Sequence, residues 1–431
     1  MTTDRPAAWA SDPVLDGLAV YRVGGAVRDE QLGLAANEHD FVVVGATPDT
    51  MIERNFRPVG QDFPVFLHPH NHAEFALART ERKSAPGYRG FVFHAGPDVT
   101  LELDLMRRDL TINAIAEDRD GQLIDPCGGL EDLHARCLRH VSPAFCEDPV
   151  RLLRLARFAT RFRDFQIAED THTLCAELVE SGEVDALVPE RVWQEMERAL
   201  AEPVPDRFFR VLRSTGALQR IMPEFDALFE QPPLNARSGG QNRGEYALQL
   251  LNEAASMGAS GPVRYACLVR ELSVDPPLVS TTGPVEKPVD QASCGLIEPL
   301  SNRLRLPKYN HQLAMLLCRF GAAAQCALRL ESAEVVDLIQ ALDGWRRADR
   351  FEELLLACSA DVRVRASLEA SPDSTPTGMP DLEFLAQSRA ATQRVDVSAW
   401  TEAGQRGPAL AQRIRQYRIE CVESLRASFE D

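Results

Sequence analysis

Short apolar runs separated by turn residues fill residues 18–124 of the chain. Runs of this length, bounded by Gly, Pro, Asn and Asp, are typical of strands. A helix is predicted over residues 26–37, directly after Gly24 and Gly25. This part of the chain is therefore predicted to mix strands and helices. The predicted strands are LAVYRV, DFVVVG, FPVFLH, AEFALA, GFVFHA and TLELDL.

From about Gly129 onward, apolar residues recur every three or four positions, which is the helical period. We therefore expect an α+β N-terminal domain followed by an all-α remainder, with domains 1–130, 131–225 and 226–431. Two segments rich in Pro, Ser and Thr, 273–290 and 369–381, are expected to be loops or linkers. The clearest helical segments are PVRLLRLARFATRF, THTLCAELVES, ERVWQEMERALA and PDRFFRVLRSTGALQRIM.

The composition is that of an ordinary soluble globular protein, with 431 residues, 45% hydrophobic and 26% charged. The N-terminus has no basic and apolar signal region, and no apolar run is long enough to span a membrane. The ten cysteines include no Cys-x-x-Cys pair. We therefore expect reduced core thiols in a cytoplasmic protein, with neither disulfides nor a zinc site.

The net charge of −17 argues by itself against a nucleic-acid partner. The arginines, however, are concentrated in one region, residues 134–165. An acidic chain with one dense arginine region suits a polyanion that binds at one place. The arginines concerned are Arg136, Arg139, Arg151, Arg154, Arg157, Arg161 and Arg163.

The segment AVYRVGGAVRD predicts a strand, a Gly-Gly turn and a helix. Glycines at such a turn let backbone amides approach a phosphate, and Arg28 can reach the same anion. A Gly-Gly turn is also common for steric reasons alone. Beyond the helix, Glu38 and Asp40 alternate at the start of a strand, so they point to the same side. They predict a site for divalent cations that bridge a triphosphate, against the alternative of a solvated strand end.

Four motifs in this order resemble the class II tRNA nucleotidyltransferases, which comprise the CCA-adding enzymes and the bacterial poly(A) polymerases. The motifs are GGAVRD with its acid pair, DLMRRDLTINAIA (104–116), EDPVRLLRLARF (147–158) and ERVWQEMERAL (190–200). The resemblance covers residues 19–230 well and the remainder loosely. It implies a polymerase-beta-like nucleotidyltransferase head at 1–130, a helical neck at 131–225 and a helical body and tail at 226–431.

The resemblance also implies roles for individual residues. Glu38 and Asp40 would be the catalytic ligands of Mg²⁺, although the family usually has Asp at the first position. Because Glu38 keeps the charge, we expect metal binding to persist. The implied nucleotide-binding residues are Gly25, Arg28, Arg154 and Arg157 for the triphosphate, Arg108 and Asp109 for the sugar, and Asp148 and Arg151 for the base.

The chemistry of Asp148 and Arg151 agrees with base selection. A carboxylate accepts a hydrogen bond from the exocyclic amine of cytosine or adenine, and an arginine donates to their ring acceptors. Guanine and uracil present a carbonyl where the amine should be, and an unpaired desolvated acceptor costs about 1–3 kcal/mol. One Asp–Arg pair can therefore accept C and A and refuse G and U without a template.

Helical geometry places Arg151, Arg154, Arg157 and Arg161 on one face of a helix whose opposite face is apolar. A solvated basic stripe is the usual explanation of such a face. No acid occupies the i,i+4 positions, so we expect the arginines to take anions from elsewhere, such as phosphates.

Two further acids and a basic segment remain open at this stage. Glu102 and Asp104 precede Arg107 in a predicted strand, and Asp104 is a candidate third acid near the metal. Residues 76–93 form a basic segment around Pro86 and Gly87. The resemblance implies a loop that switches between C and A addition, and a mobile surface loop is the alternative.

The C-terminal half resembles a metal-dependent phosphohydrolase domain built on His and His-Asp ligands, most clearly over residues 338–365. Where the His-Asp pair would fall, the chain reads CLVRELSVD (267–275), and after His172 the one remaining histidine is His311. Transition-metal sites of this type need several imidazoles. We therefore predict that this half has lost phosphohydrolase activity and either holds tRNA or supports the fold.

The expected function is the template-independent addition of CMP and AMP from CTP and ATP to the 3′ end of tRNA, with no membrane partner. A poly(A) polymerase, or an enzyme that adds only CC or only A, is the alternative with the same chemistry. The neutral or acidic chain ends favour tRNA over poly(A). An RNA-binding homologue with weakened catalysis is the alternative of another class.

Overall fold

The computed structural model of the chain describes residues 8–36, 39–59, 65–83, 91–232, 241–273, 294–368 and 378–430. The chain divides into two compact units. The first comprises Met1–Arg191 and Val211–Arg220, and the second comprises Val192–Arg210 and Ile221–Asp431. The predicted division at residues 130 and 225 is finer than these two units, and it stays a prediction.

A seven-stranded mixed sheet forms the framework of the first unit. Its strands follow the order β3-β4-β5-β2-β1-β8-β9, and two further pairs, β6-β7 and β10-β11, lie outside it. The strands are β1 Ala19–Val23, β2 Asp40–Val44, β3 Arg57–Val59, β4 Val65–Leu67, β5 Glu74–Leu77, β6 Arg79–Lys83, β7 Phe91–Ala95, β8 Ala116–Glu117, β9 Leu123–Ile124, β10 Cys137–Leu138 and β11 Gln166–Ile167.

The central strand β2 is apolar on both faces because both faces of the sheet are covered. Phe41 and Val43 belong to one buried cluster, and Val42 belongs to another on the opposite side. This explains why the sequence reads as a continuous apolar run there and not as an alternating one. The strand runs antiparallel to β1 and parallel to β5.

The helices of the first unit are α1 Gly25–Gln31, α2 Pro48–Glu53, α3 Leu101–Met106, α4 Gly129–Ala135, α5 Val150–Arg161 and α6 Glu169–Glu180. Three more, α7 Pro189–Ala201, α8 Asp206–Ser214 and α9 Ala217–Ile221, have residues in both units. Helix α1 ends earlier than predicted because Gly33 takes a positive φ of 71°, a conformation that terminates helices.

The predicted strand TLELDL is wrong, since these residues form helix α3. The side chain of Thr100 accepts a hydrogen bond from the amide of Leu103 at 3.3 Å and so caps the helix. Leu101 and Leu105 are both buried, one helical turn apart. Six residues of alternating polarity fit either period, and the cap decides for the helix. The other five predicted strands and the four predicted helical segments are confirmed where the structure describes them.

The second unit is helical throughout its described residues. Its helices are α10 Pro223–Asp226, α11 Arg243–Ser256, α12 Gly261–Val269, α13 Ile297–Arg303, α14 Lys308–Ala324, α15 Ser332–Ala341, α16 Ala348–Leu368, α17 Met379–Ala391, α18 Ser398–Glu402 and α19 Gly407–Glu430. Mixed secondary structure followed by helices confirms the predicted fold class.

One pair of cysteines departs from the sequence-based expectation. Cys294 and Cys318 are joined in a disulfide, so the expectation that every cysteine is a free thiol is wrong. None of the helices in the described part of the chain combines the length and the apolar character needed to cross a bilayer. Most of the loop-and-linker segments predicted at 273–290 and 369–381, and residues 84–90 of the basic segment, lie outside the described residues.

Candidate active site

A cavity of about 600 Å³ in the first unit, here called the arginine cavity, brings the predicted site residues together. It is lined by the turn after β1, the starts of β2 and β5, the end of α3 and one face of α5. Nine arginines line it: Arg28, Arg79, Arg107, Arg108, Arg151, Arg154, Arg157, Arg161 and Arg191. Four carboxylates join them: Asp40, Glu74, Asp109 and Asp148. Every predicted site residue lines this cavity except Glu38, which lies outside the described residues.

The Gly-Gly turn lets the chain pass close to the arginine motif. Gly24 has a φ of 72°, and a Cβ at this position would lie 2.9 Å from Nη1 of Arg108. The backbone conformation therefore favours glycine here, and a larger residue would also have to displace the end of the Arg108 side chain. The amide of Gly24 donates to the carbonyl of Ile115 at 3.1 Å, and Gly25 begins helix α1.

Asp40 and Glu74 are the first residues of β2 and β5, which are neighbouring parallel strands. The two residues are partners in the strand register. Both residues are exposed and both line the arginine cavity. Partners in adjacent strands project to the same side of a sheet, with the strands about 4.8 Å apart. Sequence reasoning missed Glu74 because the pairing of β2 with β5 joins residues far apart in the chain. Its one signal was that an acid opens the run EFALA, as Asp40 opens DFVVV.

These two carboxylates fit a magnesium ion. Mg²⁺ is usually held by one or two carboxylates together with water and substrate phosphates, and not by a complete protein cage. A site with two such carboxylates is suited to an ion that a nucleotide helps to bind.

Asp104, the candidate third acid, has a different role in the structure. It is fully buried and does not line the cavity. Its carboxylate accepts hydrogen bonds from Arg107 at 2.6 Å, from Arg108 at 3.2 Å and from the amide of Arg79 at 3.2 Å. Burial opposes ionisation of Asp104, but the charges of Arg107 and Arg108 outweigh it and hold the pKa below its usual value. Asp104 therefore positions the two arginines.

Asp109 is the most strongly held carboxylate that lines the cavity. It is 7% exposed, and it accepts hydrogen bonds from Arg154 at 2.7 Å, from Asn113 at 3.0 Å and from the Leu110 amide at 2.9 Å. Burial alone would raise the pKa of Asp109. The charge and the hydrogen bond of Arg154, with the hydrogen bonds from Asn113 and Leu110, outweigh burial and hold that pKa well below its usual range.

The arginines of α5 do not lack protein partners, which corrects the sequence-based expectation. Arg154 pairs with Asp109, and Arg161 pairs with Asp29 at 2.7 Å. Arg151 is buried and donates to the carbonyls of Ala144 at 3.1 Å and Arg107 at 2.7 Å. The acids come from other elements of the first unit, which helical spacing cannot reveal. The predicted apolar face of α5 is confirmed, with its leucines and alanines all buried.

Arg28 and Arg157 rest on aromatic rings beside the cavity. Arg28 lies over Phe158 and Phe162, at 5.2 and 5.1 Å from the ring centroids, and Arg157 lies 4.5 Å from the centroid of Phe158. Arg28 also donates to Asp29 at 2.9 Å and to the side chain of Asn113. Burial lowers the pKa of Arg28 despite Asp29. The Arg28 guanidinium thus ties α1 to the rest of the site.

Asp148 is held by an arginine that sequence reasoning did not single out. Arg191, in α7, donates to the two oxygens of Asp148 at 3.3 and 3.1 Å, and the amide of Val150 donates at 3.1 Å. The one signal in the sequence was the motif that Arg191 belongs to, ERVWQEMERAL. The orientation of the Asp148 carboxylate in the cavity is therefore fixed by the first unit itself.

Comparison with known proteins gives matches along the chain. The family described as "Poly A polymerase head domain" matches residues 20–139, and "Probable RNA and SrmB- binding site of polymerase A" matches residues 164–229. The chain is 48% identical to the "Multifunctional CCA protein" of Alkalilimnicola ehrlichii over 96% of this chain and 98% of the relative. It is 50% identical to that of Halorhodospira halophila over 93% of this chain and 96% of the relative.

Solved structures share the fold. A Thermotoga maritima CCA-adding enzyme complexed with tRNA aligns with a TM-score of 0.62 and 20% identity over 96% of this chain and 93% of that one. A complex of a CCA-adding enzyme with ATP gives a TM-score of 0.62 and 21% identity over 95% of this chain and 89% of that one.

The ion pair of Asp109 with Arg154 yields a test of the site's electrostatics. A depressed carboxyl pKa contributes stability that is present above the unfolded value of about 3.9 and is lost as the pH falls through the folded value. In Arg154→Met, the opposing charge is gone, so burial raises the pKa of Asp109. The Asp109 carboxyl then takes up a proton at a higher pH than in wild type, and this protonation relieves the destabilisation as the pH falls. We expect a loss of about 2 kcal/mol of unfolding free energy near neutral pH, shrinking towards pH ~4.5.

Urea unfolding at the two pH values measures this difference. The matched control is Arg163→Met, because the side chain of Arg163 lies just beyond α5 and is 73% exposed. A destabilisation by Arg154→Met that is independent of pH would contradict the assigned role of the pair.

Proposed function

Because this chain belongs to the family of the multifunctional CCA proteins, we propose that it adds CMP and AMP, from CTP and ATP, to the 3′ end of tRNA without a template. The observation that carries the proposal is the arginine cavity, in which Asp40 and Glu74 begin paired parallel strands opposite the arginine face of α5. A cavity with this excess of cations suits a nucleoside triphosphate. The proposal includes a cytoplasmic location, as expected for an enzyme that acts on tRNA.

Asp40 and Glu74, together with Glu38 two residues before Asp40 in the sequence, would hold Mg²⁺, which would activate the terminal tRNA hydroxyl and neutralise charge on the departing pyrophosphate. The geometry adds Glu74 to the predicted acid pair. Because Asp40 and Glu74 sit at strand starts, the sheet fixes their separation before any nucleotide binds. Fixed ligands of this kind lower the reorganisation needed to reach the transition state.

Triphosphate binding is assigned to Arg28, Arg154 and Arg157, which line the arginine cavity. The planar guanidinium fork suits the geometry of phosphate oxygens. Gly25 lets the backbone approach the same phosphates. Arg108 and Asp109, which line the same cavity, are assigned to the sugar. Held in place by Asp104 and Asp109, Arg108 and Arg154 are oriented before the substrate arrives.

Base selection is assigned to Asp148 and Arg151. Arg191 and the Val150 amide fix the Asp148 carboxylate, and two backbone carbonyls fix the Arg151 guanidinium. Arg151 lines the arginine cavity, where its guanidinium is proposed to donate to the ring acceptors of the base. A rigid acceptor beside a rigid donor favours cytosine and adenine, and a mismatch costs about 1–3 kcal/mol for the unpaired acceptor.

The tRNA is proposed to be held by the helices that follow the cavity, since residues 164–229 match a model described as a probable RNA-binding site. Poly(A) addition is the second candidate, because the match to residues 20–139 is described by that activity. Full-length relatives named as CCA proteins favour tRNA over poly(A). Addition of only CC or only A remains a variant of the same proposal.

Extension of tRNA that lacks its 3′ CCA tests the proposed reaction. Purified protein with Mg²⁺, CTP and ATP is expected to add C, C and A in order, read by sequencing the products. Asp40→Asn removes a metal ligand and is expected to lower the rate at least about 100-fold. Asp49→Asn is the control, because Asp49 is exposed on α2 and does not line the cavity. Equal rates for the two variants would exclude Asp40 as a catalytic ligand.

We also propose that the second unit no longer carries phosphohydrolase activity. The support is the chain segment 267–275, which reads CLVRELSVD and contains no histidine where the resemblance calls for a His-Asp pair. Incubation with 2′,3′-cyclic nucleotides and Ni²⁺ or Mn²⁺ is expected to give no turnover above a no-enzyme blank. The same preparation should extend tRNA, which shows that it is folded. Metal-dependent hydrolysis would contradict the proposal.

A further inference from the structure

Charged side chains lie together inside the second unit, away from the arginine cavity. Asp361 is 1% exposed, Glu271 is 3% exposed and Arg365 is 8% exposed. Arg270 and Arg243 complete the group, and the side chain of Arg270 is 12% exposed. Charges are buried at a large cost in solvation free energy, so a cluster of this kind needs close pairing to be tolerated.

Both carboxylate oxygens of Asp361 have two polar or charged contacts. Oδ1 accepts from the hydroxyl of Tyr246 at 2.6 Å and from Nη1 of Arg270 at 2.7 Å. Oδ2 accepts from Gln325 at 2.8 Å and lies 3.4 Å from Nε of Arg365. A carboxylate has about four lone-pair positions, and three of those of Asp361 accept hydrogen bonds while the Arg365 cation lies beside Oδ2, so the carboxylate is poorly placed to bind a metal ion.

Glu271 is bound into the same cluster from the other side. Its carboxylate lies 3.6 Å from Nη1 of Arg270 and 3.6 Å from Nε of Arg243. Arg243 also donates to the backbone carbonyls of Glu271 and Ser273, the latter at 2.9 Å. Arg270 therefore lies between two buried carboxylates, Asp361 and Glu271, as a shared cation would.

The cluster lies where the two segments that resemble the phosphohydrolase domain meet. Arg270 and Glu271 follow α12 within the segment 267–275, and Asp361 lies in α16 within the segment 338–365. These are the two segments that resemble the phosphohydrolase domain. The fold thus still brings together the regions that would hold its metal, but the residues do not fit a transition-metal ion, because imidazoles are missing and the acids are already occupied.

We infer that the guanidinium of Arg270 takes the place of the metal ion in the second unit, as a cation carried by the chain itself. Its bond to Asp361 joins the end of α12 to α16. The hydrogen bonds of Tyr246 and Gln325 to the same carboxylate join α11 and the end of α14 to α16. A guanidinium has no open coordination position and cannot activate water, so this centre supports the fold without catalysis. The inference deepens the proposed loss of phosphohydrolase activity and does not depend on nucleotidyl transfer.

Metal binding by the full-length chain gives the first arm of the test. After removal of metals with EDTA, wild type incubated with NiCl₂ or MnCl₂ and dialysed is expected to retain no metal at this centre and to show an unchanged Tm. Tyr246→His/Arg270→His/Glu271→Asp supplies imidazoles and frees Asp361. This variant is expected to retain metal and to gain several degrees of Tm on adding it.

The second arm tests the charge of Arg270 by thermal unfolding. Arg270→Met leaves Asp361 buried without its partner and is expected to lower the Tm by about 10 °C. Arg270→Met/Asp361→Asn removes both charges and is expected to recover a substantial part of that loss. Arg363→Met is the control, because Arg363 is on the same helix as Asp361 but its side chain is 52% exposed.

Three results would overturn the inference. One is stoichiometric metal in wild type that disappears in Asp361→Asn. Another is an Arg270→Met protein as stable as Arg363→Met. The last is an Arg270→Met/Asp361→Asn variant that is no more stable than Arg270→Met. Failure of both variants to fold counts as this result. Metal that is retained without hydrolysis of cyclic nucleotides would contradict this inference but not the proposed loss of phosphohydrolase activity. The tRNA extension assay measures the activity of the first unit separately.

Discussion

Guanidinium groups gathered around one cavity repel each other, and the first unit depends on buried carboxylates that hold them there. Asp104 holds Arg107 and Arg108, and Asp109 holds Arg154. Asp29 holds Arg28 and Arg161, and Asp148 holds Arg191. Three of these acids also bind an arginine from a distant part of the unit: Asp109 binds Arg154, Asp29 binds Arg161 and Asp148 binds Arg191. The pairs therefore set the positions of helices and motifs relative to one another while the cavity keeps an excess of positive charge.

The same pairing of arginine and carboxylate has opposite consequences in the two units. In the first, the side chains of Arg154 and Arg161 are about one third exposed and line the cavity, where a phosphate can reach them. In the second, Asp361 and Glu271 are almost wholly buried and each is paired with arginines. Access from a cavity, and not the type of residue, separates a binding site from a structural centre.

Sequence patterns predicted the elements and the residue types of the site, but they did not predict which groups pair. The arginine face of α5 follows from helical periodicity. Its partners do not, since Arg154 and Asp109 are 45 residues apart and Arg161 and Asp29 are 132 apart. Glu74 was missed because the parallel register of β5 with β2 has no local signal. Helix α3 was predicted as a strand because six residues of alternating polarity satisfy both periods until the Thr100 cap is considered.

The central claim is that protein side chains choose the base in the arginine cavity, with Asp148 as the acceptor for an exocyclic amine. The most direct measurement is single-nucleotide incorporation into tRNA lacking its 3′ end, with each of the four ribonucleotides, by wild type and by Asp148→Asn. The asparagine amide can donate where the carboxylate accepts only. The account predicts that wild type uses CTP and ATP, and that Asp148→Asn gains use of UTP and GTP relative to them. Unchanged selectivity in Asp148→Asn would contradict it.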